Sequence, residues 1–211
     1  MFKRTIGQAR NWLFPSRPWI ALLGLDGSGK SSVIHALAET SGSAGLFVLH
    51  RRPQFVYRTV TTGQTGQIEH YQKPPHAPWR SAVKLAAMWL DWLVGYWLVV
   101  HGRRARGVLV MADRHSLLDL QADPLRYRYG GSPRWVRLAT RLVPMPQAVL
   151  LLDAPTAVLQ ARKQELTAEK AAELRIKYLN LVRECKRSYI IDASRPLSQV
   201  VANVQQIVNE I

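Results

Sequence analysis

The chain has 211 residues, 47% of them apolar, and a formal charge of +15. That length suits one α/β domain with a real core, and the composition excludes a disordered chain. A lone cysteine, Cys185, excludes an intramolecular disulfide or a cysteine-based zinc site and fits a reducing compartment, while the charge excess draws polyanions.

Residues 1–17 carry four cations (Lys3, Arg4, Arg10, Arg17) and no acid. Phe2, Ile6, Ala9 and Leu13 fall near one helical face. The segment reads either as a helix packed beside the first strand or as a basic amphipathic segment on an anionic membrane surface. It has no continuous apolar run of the kind a cleaved signal peptide needs. Residues 18–211 read as a single domain.

Residues 19–23 form a short apolar run that leads into GLDGSGKS, residues 24–31. Helical spacing follows over 31–39, then loop residues at 41–45 and a second apolar strand at 46–49. Residues 51–80 are rich in Pro, Gly, Gln and Thr and predict a long loop. A long helix is expected from about 80 to 106, closed by Gly107. Its apolar core, Leu85 to Val100, is broken by Asp91 and Gly95. That run is shorter than the roughly 20 residues a spanning helix needs, so a buried helix is expected. The density of Trp89, Trp92, Tyr96 and Trp97 leaves a membrane-facing patch open as a second use. Further strands are predicted at 108–112, 148–152 and 189–191, the first two running into Asp113 and Asp153. Helices are predicted at 135–142, at 157–186 in two pieces, and at 197–211.

Wholly apolar strands alternating with helices predict an α/β fold of three layers, αβα, with a five-stranded parallel sheet and helices on both faces; with the loop GLDGSGKS after its first strand this reads as a P-loop NTPase. Ligands of such sheets bind at the carboxyl ends of the strands. The Gly-rich loop, Arg51, Asp113, Asp153 and Asp192 all fall there, although acids at strand ends also serve as simple caps.

GLDGSGKS matches the phosphate-cradling pattern G-x-x-x-x-G-K-[S/T], and it lies between an apolar strand and a helix as that pattern requires. Gly24, Gly27 and Gly29 let the backbone turn its N–H groups inward, with Ser28 between them. The start of the next helix completes the anion site. Lys30 reaches toward the β- and γ-phosphates, and Ser31 is a Mg²⁺ ligand. Asp113 has the form of a second metal-side acid. Arg114 points to a transferred or acceptor phosphate. Arginines outnumber lysines 21 to 8, and the planar guanidinium suits phosphate.

GLDGSGKSS, then HRRPQ, then DRH after the third strand resemble thymidylate kinase and its relatives. LLLDAPTAVLQARKQ, LRIKYLNLVRE and YIIDASRPLSQVVANV extend the resemblance nearly from Trp19 to Ile211. It implies ATP and Mg²⁺ as cofactors and an ATP-dependent transfer to a small phosphate acceptor. Lys30, Ser31 and Ser32 fall on the family's ATP and magnesium positions, and Asp26 on the acid that approaches the acceptor sugar. Asp113 and Arg114 fall on its DR pair, Arg162 on a lid arginine, and Asp192, Ala193 and Ser194 on the adenine side. The resemblance further implies a short lid over about 162–172, a cytoplasmic enzyme, and a homodimer through helices that include the long one. The same long helix also suits a buried monomer core. Peripheral contact with the inner face of a membrane stays open, and a nucleic-acid partner is not expected.

The acceptor side departs from the family. Arg52 stands where the family has a Glu after its post-strand arginine, here Arg51. Trp92 stands where the long helix usually carries an arginine. In place of the Ser and Tyr-Gln that help to position thymine, the chain reads SLLDLQADPLRYRYGG. Its cluster Arg126, Tyr127 and Arg128 joins Asp26, Arg51, Trp92 and Arg114 as candidate acceptor residues. Either dTMP or a related monophosphate is expected, or a sugar or glycolipid acceptor of bacterial surface-polysaccharide synthesis. A non-catalytic nucleotide-binding regulator is the remaining reading.

Overall fold

The computed structural model describes residues 12, 15, 17–40, 45–50, 52–53, 71, 73–164 and 166–211. Five strands form one parallel sheet: β1 (Trp19–Leu23), β2 (Leu46–His50), β3 (Leu109–Asp113), β4 (Ala148–Asp153) and β5 (Ser188–Asp192), in the order β2-β3-β1-β4-β5. The helices are α1 (Lys30–Thr40), α2 (Pro78–Gly95), α3 (Ser116–Ala122), α4 (Pro133–Arg141), α5 (Thr156–Arg162), α6 (Ala168–Arg183) and α7 (Leu197–Glu210).

Both faces of the sheet are covered, and β1 shows why its sequence is apolar throughout. Ile20 and Leu22 pack in the cluster with α1, α6 and α7, while Trp19 and Ala21 pack with α2 and α4. Side chains alternate across a strand, so a strand covered on both sides needs an apolar residue at every position. Register pairs His50 with Asp113 and Asp153 with Asp192, which brings the carboxyl ends of the strands into one row.

α2 starts at Pro78, whose missing N–H costs nothing at a helix start. It runs on through a π-helical turn, Tyr96–His101, and a last turn, Gly102–Ala105. Leu85, Met88, Asp91, Trp92 and Gly95 face inward. The buried-helix expectation holds for that side. Trp79, Val83, Leu90, Trp97 and Leu98 stay exposed on the other.

α3 and the 3₁₀ turn Leu125–Tyr127 were not expected. Ser116, Leu117, Leu118, Asp119 and Leu120 are all buried, so α3 has no polar face to give a helical period. Its start is capped by His115, whose Nδ1 accepts the Leu118 N–H at 3.4 Å. The expected loop over 51–80 lies mostly outside the described residues, as do Arg51 and nearly all of the basic segment 1–17. The helix pair after β4 breaks between Arg162 and Ala168, within the expected lid range.

Candidate functional site

The turn from β1 into α1 is built by its glycines. A Cβ on Gly24 (φ +147°) would lie 2.6 Å from the Leu152 carbonyl oxygen, and one on Gly27 (φ +84°) 2.8 Å from that of Leu159. Only glycine fits so near neighbouring backbone at such angles. Ser28 donates its N–H to Leu25 at 3.2 Å, closing the loop.

Lys30 is buried at the base of this loop. Its Nζ donates to the carbonyls of Gly24 (2.9 Å) and Leu25 (2.7 Å) and to Ser28 Oγ (3.2 Å). Burial, helped by the Arg114 guanidinium, pushes its pKa down to about 7. An anion beside it would restore the charged form. Ser31 and Ser32 are exposed at the start of α1.

Asp26 ties the loop to the acceptor-side cluster. Its Oδ1 accepts from Arg114 Nη2 at 2.6 Å and its Oδ2 from Arg126 Nη2 at 2.8 Å. Burial alone would raise the Asp26 pKa, but Arg114, Arg126 and Lys30 outweigh it and hold the carboxyl well below the usual range. Arg114 adopts φ +70°, a strained angle for a residue with a side chain. It also donates to the Gly24 carbonyl at 3.3 Å and to Asp119 at 3.1 Å.

Asp119 is the hub beneath. It is fully buried and accepts from Arg114, from Tyr127 Oη at 2.9 Å and from Tyr178 Oη. Burial would raise its pKa, but Arg114 and Arg126 prevail and keep it ionised. Neither Asp119 nor Tyr178 was predicted. Asp119 sits in the stretch that departs from the family, and Tyr178 looks in sequence like any core residue of an amphipathic helix.

The RYRY cluster therefore divides. Arg126 reaches the loop acid and Tyr127 the hub, while Arg128 (φ +49°) turns away and donates to the Pro74 carbonyl at 3.0 Å. Trp92 lies wholly in the core, stacked on His115 at 4.0 Å, with its Nε1 donating to Ser116 Oγ at 2.9 Å. This placement corrects the picture of Trp92 as a free acceptor-facing ring. It braces the segment after Asp113 from behind. Burial pushes the His115 imidazole down to about 3, so the stacked ring is neutral. Arg52 is likewise buried and pairs with Asp91 at 3.1 Å.

Asp113 closes β3. Its Oδ2 lies 3.6 Å from His50 Nδ1, and its Oδ1 is buried with no hydrogen-bond partner among the described residues. An orphaned buried carboxylate oxygen suits a metal ion or its water, so the residues fit Mg²⁺ held by Ser31 and Asp113. Among the described residues no three His, Cys, Asp or Glu side chains gather to cage a metal alone.

On the other side of the loop, Arg162 at the end of α5 donates to the Ala193 carbonyl at 2.8 Å. It lines a cleft of about 180 Å³ with Ser28, Gly29, Ser32, Ala193 and Arg195. Asp192 holds the turn below it by accepting the Ser194 N–H at 2.9 Å. Asp153 is taken by Arg175, which grips it through two bonds of 2.7 Å, so this strand-end acid is structural. The expected donor residues thus surround the loop on the β4–β5 side, and Asp26, Arg114 and Arg126 converge on the β3 side.

No protein-family profile matches the chain. It is 26% identical over 206 residues to a probable thymidylate kinase of Pyrobaculum aerophilum, covering 92% of this chain and 97% of that one. It is 22% identical over 204 residues to probable thymidylate kinase 1 of Saccharolobus solfataricus, covering 90% and 96%. With the P-loop-kinase-like fold, these distant likenesses support a nucleotide-phosphotransferase role and point to the P-loop nucleoside-monophosphate kinase superfamily, with no single family in it distinguished.

Proposed function

We propose that the chain is a cytoplasmic kinase that transfers the γ-phosphate of ATP, with Mg²⁺, to a small monophosphate acceptor, dTMP or a relative. The observation that carries this is the junction of Asp26, Arg114 and Arg126. It joins the donor loop to a pair of buried guanidiniums. Two fixed guanidiniums are the residues of choice for a phosphate dianion, which can take their donors in competition with Asp26.

Lys30 and the loop N–H groups bind and orient the donor phosphates, and α1 adds its N-terminal field. Ser31 and Asp113 are the residues that would hold Mg²⁺, which would supply positive charge to offset that of the phosphates. Arg162 and Lys163 border the loop from the lid side, where a cation can offset charge on the transferring group. Arg114 and Arg126 position the acceptor phosphate. Catalysis of this kind is positioning and electrostatics, since the protein forms no covalent bond.

A sugar- or glycolipid-phosphate acceptor is the second reading. Its support is that Arg52 and Trp92, at positions the family uses for a nucleotide acceptor, are buried in the core. The test is transfer of labelled phosphate from ATP–Mg²⁺ to dTMP, other nucleoside monophosphates and sugar phosphates. Turnover of a nucleoside monophosphate is the expected result. Turnover of sugar phosphates alone moves the assignment to the second reading. ATP binding without transfer to any acceptor sinks both and leaves a nucleotide-binding regulator.

A further inference from the structure

α2 and α4 form a face that the kinase chemistry does not use. Between them lies an apolar groove of about 670 Å³, lined among others by Trp79, Leu85, Trp89, Trp135, Leu138 and Leu142. Trp79, Trp135 and Leu142 are 65%, 62% and 56% exposed. Single exposed apolar residues are ordinary, but a contiguous patch of this kind marks an interaction surface.

The patch extends along the helix. Residues 79, 83, 86 and 90 share one face at helical spacing, and exposed Trp97 and Leu98 continue beyond them. Trp79 and Trp97 are about 27 Å apart along the axis at 1.5 Å per residue. At the far end Trp12, also exposed, packs edge-on against His101, which in turn contacts Trp97. The helix Pro78–Ala105 is long and apolar enough to cross a membrane. Its inner side nevertheless belongs to the core through Leu85, Met88, Trp92 and Val100. It is therefore placed to lie on a bilayer, and crossing one would strip it from the sheet.

Charge selects the occupant. Residues 124–152 contain no acid, and residues 73–112 contain only Asp91, which is buried and paired with Arg52. Arg80 stacks over Trp79, and Arg134, Arg137 and Arg141 stand exposed along α4. A second copy of this face would oppose arginine to arginine. The chain's own residues 1–17 carry four cations and no acid, so they would do the same. An anionic lipid surface offers the complement: apolar depth for the tryptophans and phosphate for the arginines.

We propose that the α2–α4 face docks the protein on an anionic phospholipid bilayer, with the groove and its tryptophans seated at the headgroup boundary. This inference is independent of the phosphoryl acceptor.

The test is co-sedimentation of the full-length protein with vesicles of phosphatidylcholine alone and of an equimolar mixture with phosphatidylglycerol. Binding to the mixed vesicles is expected, weakening as salt is raised, with little binding to phosphatidylcholine. Trp135→Glu/Leu142→Glu should cut the bound fraction about tenfold or more. Both sites are exposed, so an unchanged melting curve certifies the fold. Brominated acyl chains should quench tryptophan fluorescence, and Trp79→Phe/Trp135→Phe should remove most of that quenching. Four results overturn the proposal. One is no vesicle binding, and another is equal binding to phosphatidylcholine. A third is binding that survives Trp135→Glu/Leu142→Glu but vanishes when Lys3, Arg4 and Arg10 become alanine. The last is a dimer, seen by light scattering, that this double variant dissociates while vesicles bind nothing.

Discussion

Asp26 links the two halves of the candidate site, because from within the phosphate loop it pairs with both Arg114 and Arg126. Its folded pKa is depressed, so its contribution to stability is full above the unfolded value of about 3.9 and is lost as pH falls through the folded value. Asp26→Asn should therefore cost about 3 kcal/mol at neutral pH, and the gap from the wild type should begin to narrow only below about pH 4, closing progressively in stronger acid. Urea melts between neutral pH and strong acid measure this, and a gap that stays constant with pH contradicts the assignment. Arg126 belongs to the acceptor in the proposed reaction. Arg126→Ala should raise the KM for the acceptor by roughly 10- to 100-fold, the loss of one charge-assisted hydrogen bond, with the KM for ATP little changed. An equal rise in both would place Arg126 in support of the loop. The acid and the DR arginine were legible as sequence, since each falls in a motif. Their contact with Arg126, 100 residues from Asp26, was not, because no local pattern encodes a through-space pairing.

At the level of elements, α2 shows how two glycines of one long helix can behave oppositely. A Cβ on Gly95 would lie 2.3 Å from Pro53 Cβ, part of a rigid ring, whereas among the described residues one on Gly102 meets only Arg106 Nη2 at 3.7 Å. Alanine gains about 0.5–1 kcal/mol over glycine in a helix, and overpacking costs about 1–3 kcal/mol. Gly95→Ala should thus lower stability by about 1–2 kcal/mol, and Gly102→Ala should raise it by about 0.5 kcal/mol. Denaturant midpoints check both, and a stabilised Gly95→Ala would show that Pro53 is free to move aside. The five strands were readable because each is an apolar run of a length that suits burial on both faces. α3 was not readable, because every residue in its first four positions is buried and the helical period is erased. The π-helical turn in the long helix left no sequence signal either.

Across the whole molecule, nucleotide binding should appear as stabilisation. ATP–Mg²⁺ at a hundredfold excess over its Kd adds about 2.7 kcal/mol, or about 5–10 °C in Tm for a chain of this size. Lys30→Ala should abolish that shift, and a shift that persists in the variant would remove the loop as the binding site. The sequence by itself determined the α/β class, the order of the five strands, the helices with a clear apolar period, and the donor loop, because these rest on local periodicity and on glycines required by local backbone angles. Tertiary structure alone decided which cations meet which acids. It turned Arg128 away from the loop while Arg126 faces it, closed Trp92 and Arg52 into the core, and gathered α2 and α4 into one exposed cationic and aromatic face. Those outcomes depend on long-range packing against a shared sheet, where burial and charge pairing outweigh anything a residue's neighbours in sequence can specify.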